Sequence, residues 1–127
     1  SQVQLKDDDD PIDFNQAELI NLSHGSPGAV IKNIKAWQEI PEEIWTRLKN
    51  LTHEPIYALS LARDLTEVLD MKQQIWLINL LQQYIWNQNN NPKPIKQLDT
   101  LRSQLTSFVQ PRLAWEISLL KIGQTTN

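Results

Sequence analysis

The chain has no cysteine in its 127 residues. No disulfide can brace it, and no thiolate can bind metal or attack a substrate. That fits a reducing, cytoplasmic setting. Histidine is nearly absent too: His24 and His53 are far apart, and neither has a metal-ligating neighbour at helical spacing. A nucleophile with its base and orienting group has no candidate residues here. We therefore expect no catalytic residue, no metal and no cofactor, and no enzyme activity from this stretch of chain. Glycine is scarce, with three residues. Alternating β-branched runs and Asn-Gly turns are missing, which argues against sheet. No apolar run approaches the ~20 residues that cross a bilayer. No basic-then-apolar leader opens the chain, so no secretion is expected. On that expectation, the triplets Asn21-Leu22-Ser23 and Asn50-Leu51-Thr52 read as chance glycosylation matches.

What remains is helical. Apolar residues make up 40% of the chain, enough for one core. Seven prolines punctuate it, most of them at places suited to helix starts or the gaps between helices. The expected class is all-α, a bundle of six or seven helices. Asp7–Asp10 reads as a solvated acidic leader, because four adjacent carboxylates repel and resist burial. A first helix is expected over Asn15–Ser23, with Leu19 and Leu22 inward and Gly25 as its cap. Ser26 and Pro27 then start a helix carrying Val30, Ile34 and Trp37 on one face, with Ile31 beside it. Pro41-Glu42-Glu43 starts another, burying Ile44, Leu48, Leu51 and part of Trp45. Pro55 starts a third, with Ile56, Leu59 and Leu61 as core candidates. Glu67–Trp86 reads as one long helix at the bundle centre. Its apolar positions, Val68, Met71, Ile75 and Ile78 among them, wrap most of the circumference. Asn87–Pro94 reads as a polar loop. Beyond it, Ile95, Leu98, Leu101, Leu105 and Phe108 make one apolar stripe.

The last helix, opened by Pro111 and closed by Gly123, has two stripes. Leu113, Ile117 and Leu120 share one side, and Trp115, Leu119 and Ile122 have the same spacing on another. One stripe suffices to join a small domain's own core. The surplus, expected at Trp115, Leu119 and Ile122, implies cover by another chain.

Other candidate chemistry has bland readings. Gly25–Lys32 looks faintly like a phosphate loop, but no glycine precedes Lys32, Asn33 follows it, and the segment follows a helix. It reads as a helix–helix corner where Gly28 permits close packing. The five tryptophans could stack bases. Such platforms come with interleaved basic residues, so core and interface roles are the alternative. Basic residues are scattered along the chain, although folding could gather Lys32, Lys35 and Arg47.

Two segments carry a resemblance. Ser23-His24-Gly25-Ser26-Pro27-Gly28-Ala29-Val30 resembles the Gly-Ser-Pro-Gly corner in the lid of bacterial clamp-loader subunits of DNA polymerase III, and looks most like the delta prime type. Leu98…Leu101-Arg102…Leu105…Val109-Gln110-Pro111-Arg112-Leu113…Glu116…Leu119-Leu120 is similar to the closing helices of the same proteins. The likeness covers about Asn15 to Ile122. Gln110 stands where many relatives have Asn, and the acidic leader has no counterpart.

The resemblance implies that this is part of an AAA+ subunit of a pentamer that loads a sliding clamp onto primed DNA in replication. Nucleotide-binding elements have no counterpart in this sequence. The resemblance then divides the chain into an acidic tail (1–14), a remnant of the helical lid (15–40) and a C-terminal collar, or oligomerisation, domain (41–127). Gly28 falls where ATP-hydrolysing relatives have a sensor arginine, which agrees with a structural, non-hydrolysing member. Implied partners are the other clamp-loader subunits, with clamp and primed DNA met only through the whole complex, and no membrane. Candidate interface residues are Arg102, Arg112, Leu113, Trp115, Glu116, Leu119 and Ile122. The alternatives are a nucleic-acid-binding helical module built on Lys32, Lys35, Arg47 and the tryptophans, or the equivalent region of a gamma/tau-type subunit.

Overall fold

The computed structural model describes residues 27–89, 91–107 and 109–125. They form six helices: α1 (Pro27–Glu39), α2 (Glu42–Lys49), α3 (Pro55–Val68), α4 (Met71–Asn89), α5 (Pro92–Leu105) and α6 (Pro111–Thr125). No strand occurs among the described residues. The helix expected over Asn15–Ser23 lies outside them, as do the acidic leader, His24, the Gly25 cap and Phe108. Val30 belongs to α1, but its side chain is outside those described.

Proline opens four of the six helices, at Pro27, Pro55, Pro92 and Pro111. Its ring presets φ, and its missing N–H has no partner in the first turn of a helix anyway. Pro41 stands just before α2, whose first turn carries Glu42 and Glu43 and whose last turn carries Arg47 and Lys49. Both sets of charges oppose the helix dipole.

The long helix expected over Glu67–Trp86 is two helices. α3 stops at Val68, and Asp70 caps α4. The Asp70 carboxylate accepts from the Gln73 backbone N–H at 2.8 Å, and the Gln73 side chain accepts from the Asp70 N–H at 2.9 Å. This reciprocal capping box satisfies donors that a continuous helix would bond internally. In turn, α4 continues through the expected polar loop to Asn89. Asn91 accepts from the Lys93 N–H at 3.1 Å and starts α5.

The core corrects several sequence assignments. In α2, Ile44, Trp45, Leu48 and the following Leu51 are buried as expected. In α3 the buried set is Ala58, Leu61, Ala62 and Leu65, while Ile56 and Leu59 are exposed. Small side chains at 58 and 62, one turn apart, let another helix approach, and α3 packs most extensively against α6. Val68 and Met71 are exposed because the chain turns between them. Ile31 is exposed as well, whereas Ile34 and Trp37 pack on the core.

The central position expected for the long helix belongs to α6, which packs against both α3 and α5. Its buried positions, Ala114, Trp115, Ser118, Leu119 and Ile122, form a broad face. Three tryptophans join α1, α2 and α4. Trp37 and Trp45 stack with centroids 4.2 Å apart, and Trp76 meets Trp45 edge-on at 6.4 Å. Such pairs contribute about 0.5–1.5 kcal/mol beyond area burial. Asn33, Ile34, Trp37 and Ile40 are therefore packed on the rest of the bundle.

Among the glycines, Gly123 also differs from expectation. Among the described residues nothing lies within 4 Å of a β-carbon placed at Gly28, and the helix expected to pack at that corner lies outside them. Gly123 lies inside α6, and a β-carbon there would overlap the Thr52 carbonyl oxygen. The role assigned to it as a helix stop is replaced by close approach of α6 to the α2–α3 connection. Gly123→Ala should lower stability in urea melts by about 1–3 kcal/mol, the usual cost of overpacking, despite alanine's better helix propensity. Gly28→Arg should leave the melt unchanged within about 0.5 kcal/mol.

Candidate functional site

The candidate residues lie on or against α5 and α6. Trp115, Leu119 and Ile122 are enclosed within this one chain, at 0%, 1% and 3% exposure. They cannot meet a partner's surface, and this part of the expected interface is withdrawn. The indole N–H of Trp115 donates to the Gln74 side-chain oxygen at 2.9 Å, and the Gln74 amide donates to the Leu69 carbonyl at 2.9 Å. The tryptophan thus ties α6 to the α3–α4 joint. A buried polar group left without a partner costs about 1–3 kcal/mol, and this chain of two bonds avoids that cost for both side chains.

The two-stripe pattern nevertheless has an exposed member. Leu113 is 47% exposed and Ile117 is 37% exposed, one turn apart on the outer face of α6. Leu120, expected on the same side, packs partly against the core. The stripes have exchanged places: the one expected to join the chain's own core carries the exposed residues. Arg112 and Glu116 flank this face and pair with each other at 3.1 Å. Lys121 and Gln124 continue the exposed side toward the C-terminus.

Arg102 is an inter-helix clamp within the chain. Its guanidinium donates to Asn79 on α4 at 2.8 and 3.1 Å, to Asp99 at 2.7 Å, and to the Gln82 side-chain oxygen. Gln82 completes the set by donating to the Ile95 carbonyl at 3.0 Å and to Asp99 at 2.9 Å. These bonds, first from Gln82 and then from Arg102, hold the Asp99 carboxyl below its usual range. Gln97 donates to the Ser118 hydroxyl at 2.9 Å and joins α5 to α6. The sequence reading missed these amides. Their signal was weak, since a polar residue in an apolar stripe usually marks the stripe's edge.

Arg47 is not gathered with Lys32 and Lys35. It reaches from α2 to α3, donating to Asp64 at 2.5 Å and to the Ser60 hydroxyl at 2.7 Å. Arg47, and then Arg63, depress the Asp64 carboxyl below its ordinary value. His53 is an exposed turn residue. Among the described residues no group of three acids or histidines could hold a metal ion. No helix among them is long and apolar enough to cross a membrane.

The family whose model matches is described as cyanobacterial DNA polymerase III delta prime, C-terminal domain, and it matches residues 2–122. The chain belongs to this family. The match takes in the acidic run for which the resemblance offered no counterpart. No curated protein and no solved structure matches the chain. Membership in the delta prime C-terminal domain family accounts for the all-helical fold and links the chain to the replicative polymerase and its clamp-loader machinery.

Two measurements check the geometry. Trp115→Ala should cost about 3–5 kcal/mol in urea melts, typical of a large aromatic removed from a core. Asp64→Asn should lower the melting temperature at neutral pH. The native carboxyl titrates below its unfolded value, so its stabilisation is present above that value and is lost as pH falls through the folded one. The gap between the two proteins should therefore close in melts taken below the ordinary carboxylate range.

Proposed function

We propose that this domain is the assembly, or collar, region of a delta-prime-like clamp-loader subunit, and that it takes no part in catalysis. It supports loading of the sliding clamp in replication by holding its subunit against neighbours. The observation that carries the reading is the family match over nearly the whole chain. The outer face of α6 supports it, because Leu113 and Ile117 expose apolar surface beside a paired Arg112 and Glu116. Apolar anchors with a charged rim are the usual anatomy of a docking surface.

On this reading residues 15–40 are the end of the lid and residues 41–127 are the collar. Gly28 stands at the sensor-arginine position. Among the described residues nothing lies close enough to bar a side chain there. Catalytic, cofactor and metal roles are absent from the proposal. The partners are other clamp-loader subunits, in the cytoplasm, with clamp and primed DNA reached through the complex.

The interface residues are now Leu113 and Ile117, with Arg112 and Glu116 at the rim. Arg102 contributes by fixing α5 against α4. The double variant Leu113→Asp, Ile117→Asp in the complete subunit should keep its helical circular dichroism and melting temperature. Its co-elution with the other subunits in gel filtration should fall at least tenfold, as for loss of a hot spot of ~2 kcal/mol or more. Unchanged co-elution would remove this face from the assembly.

A further inference from the structure

Every arginine among the described residues is in an ion pair with a carboxylate: Arg47 and Arg63 with Asp64, Arg102 with Asp99, and Arg112 with Glu116. Six lysines form no ion pair among the described residues, and three of them share one place. Lys32 and Lys35 on α1, and Lys72 on α4, are exposed, form no ion pair among the described residues, and line one cleft of about 330 Å³ with Gln73 and Trp76. A second cleft, of about 200 Å³, shares Trp76 and is lined by Asn33, Asn79, Leu80 and Gln83, with no acidic residue.

The two clefts form one groove along α4. Residues 72, 76, 79, 80 and 83 fall on a single helical stripe, about 16 Å long at 1.5 Å per residue. Lysines stand at one end, a tryptophan at the middle and primary amides at the other end. The indole N–H of Trp76 donates to Asn33 at 3.1 Å, which fixes the ring across the groove between α1 and α4. Two carboxylates face the lysine end. Glu39 is exposed, and Asp70 is turned onto the first turn of α4, where it accepts from the Gln73 N–H.

We propose that this groove binds single-stranded nucleic acid directly, in a sequence-tolerant manner. Lys32, Lys35 and Lys72 meet successive phosphates, the part of Trp76 left open by its packing on Trp45 offers a stacking surface, and Gln83 meets base edges or sugars. Unpaired cations next to an aromatic ring match how single strands are held without sequence readout. The Gln83 amide, which both donates and accepts, suits a base better than it suits an acidic peptide, whose side chains only accept. The face is distinct from Leu113 and Ile117, so the proposal stands or falls independently of the assembly reading.

The test is fluorescence anisotropy of the chain with a labelled oligothymidylate of about 12 nucleotides, within the usual site sizes. Binding at low salt should weaken as salt rises, with a log–log slope near −2, the value expected for three phosphates on a single strand. The variant Lys32→Gln, Lys35→Gln, Lys72→Gln should weaken binding about tenfold or more and flatten the slope. The control Lys93→Gln, Lys96→Gln, Lys121→Gln removes the same charge elsewhere and should bind as the parent does. Trp76→Phe keeps an aromatic ring and should bind less tightly by a smaller factor. No binding at low salt would overturn the proposal. So would equal weakening by both triple variants, which means diffuse electrostatics. Competition by a polyglutamate peptide as strong as by unlabelled oligothymidylate would assign the groove to acidic protein segments and overturn it as well.

Discussion

The fold depends on one side chain's burial. Trp115 is wholly enclosed, and its indole N–H is answered by Gln74, whose amide in turn holds the Leu69 carbonyl. That path runs from the last helix to the joint between α3 and α4, so the largest fully buried residue also fixes that joint. The close contact of α3 with α6 fits the small buried residues on both helices, Ala58 and Ala62 on one and Ala114 on the other. With these in place, α6 can lie at the centre, and Gly123 can meet the backbone at Thr52.

Once α6 is central, one face of it must still point outward. A helix carrying apolar residues at Leu113, Trp115, Ile117, Leu119, Leu120 and Ile122 cannot hide all of them against two neighbours. The structure buries the tryptophan side, where the volume is greatest, and leaves Leu113 and Ile117 in solvent. The hydrophobic effect favours this choice, because it scales with the apolar area removed from water. The premise of surplus apolar surface on the last helix therefore stands, while the residues first assigned to it do not. Alongside the core, a set of amides and ion pairs sets how the helices align. Gln82, Arg102 and Asp99 lock α4 to α5, Gln97 and Ser118 lock α5 to α6, and Arg47 with Asp64 locks α2 to α3.

Much of this was legible in the residue order. Proline placed the openings of α1, α3 and α6 and, one residue early at Pro41, that of α2. The acid-first, base-last charge pattern of α2 and its Ile44/Leu48/Leu51 core could be read from spacing. The family corner and the closing helices pointed to the clamp-loader lineage, and the family match agrees. One error was avoidable. Asp70-x-x-Gln73 has the capping-box spacing, and it divides what apolar periodicity joined. The α3 stripe was also present, as Ala58, Leu61, Ala62, Leu65 and Leu69, but larger neighbours such as Ile56 and Leu59 drew attention away from the alanines.

The sequence by itself determined the helical class, most of the helix starts, the absence of cysteine and the family. These are local or compositional properties, carried by each residue whatever its distant neighbours are. Tertiary structure alone decided which stripe of α6 is hidden, that Arg47 parts company with Lys32 and Lys35, and that three lysines share a groove with Trp76. Periodicity says which residues share a face of their own helix. Which face turns inward depends on volumes and partners brought together from remote parts of the chain, and that is settled only when the helices pack.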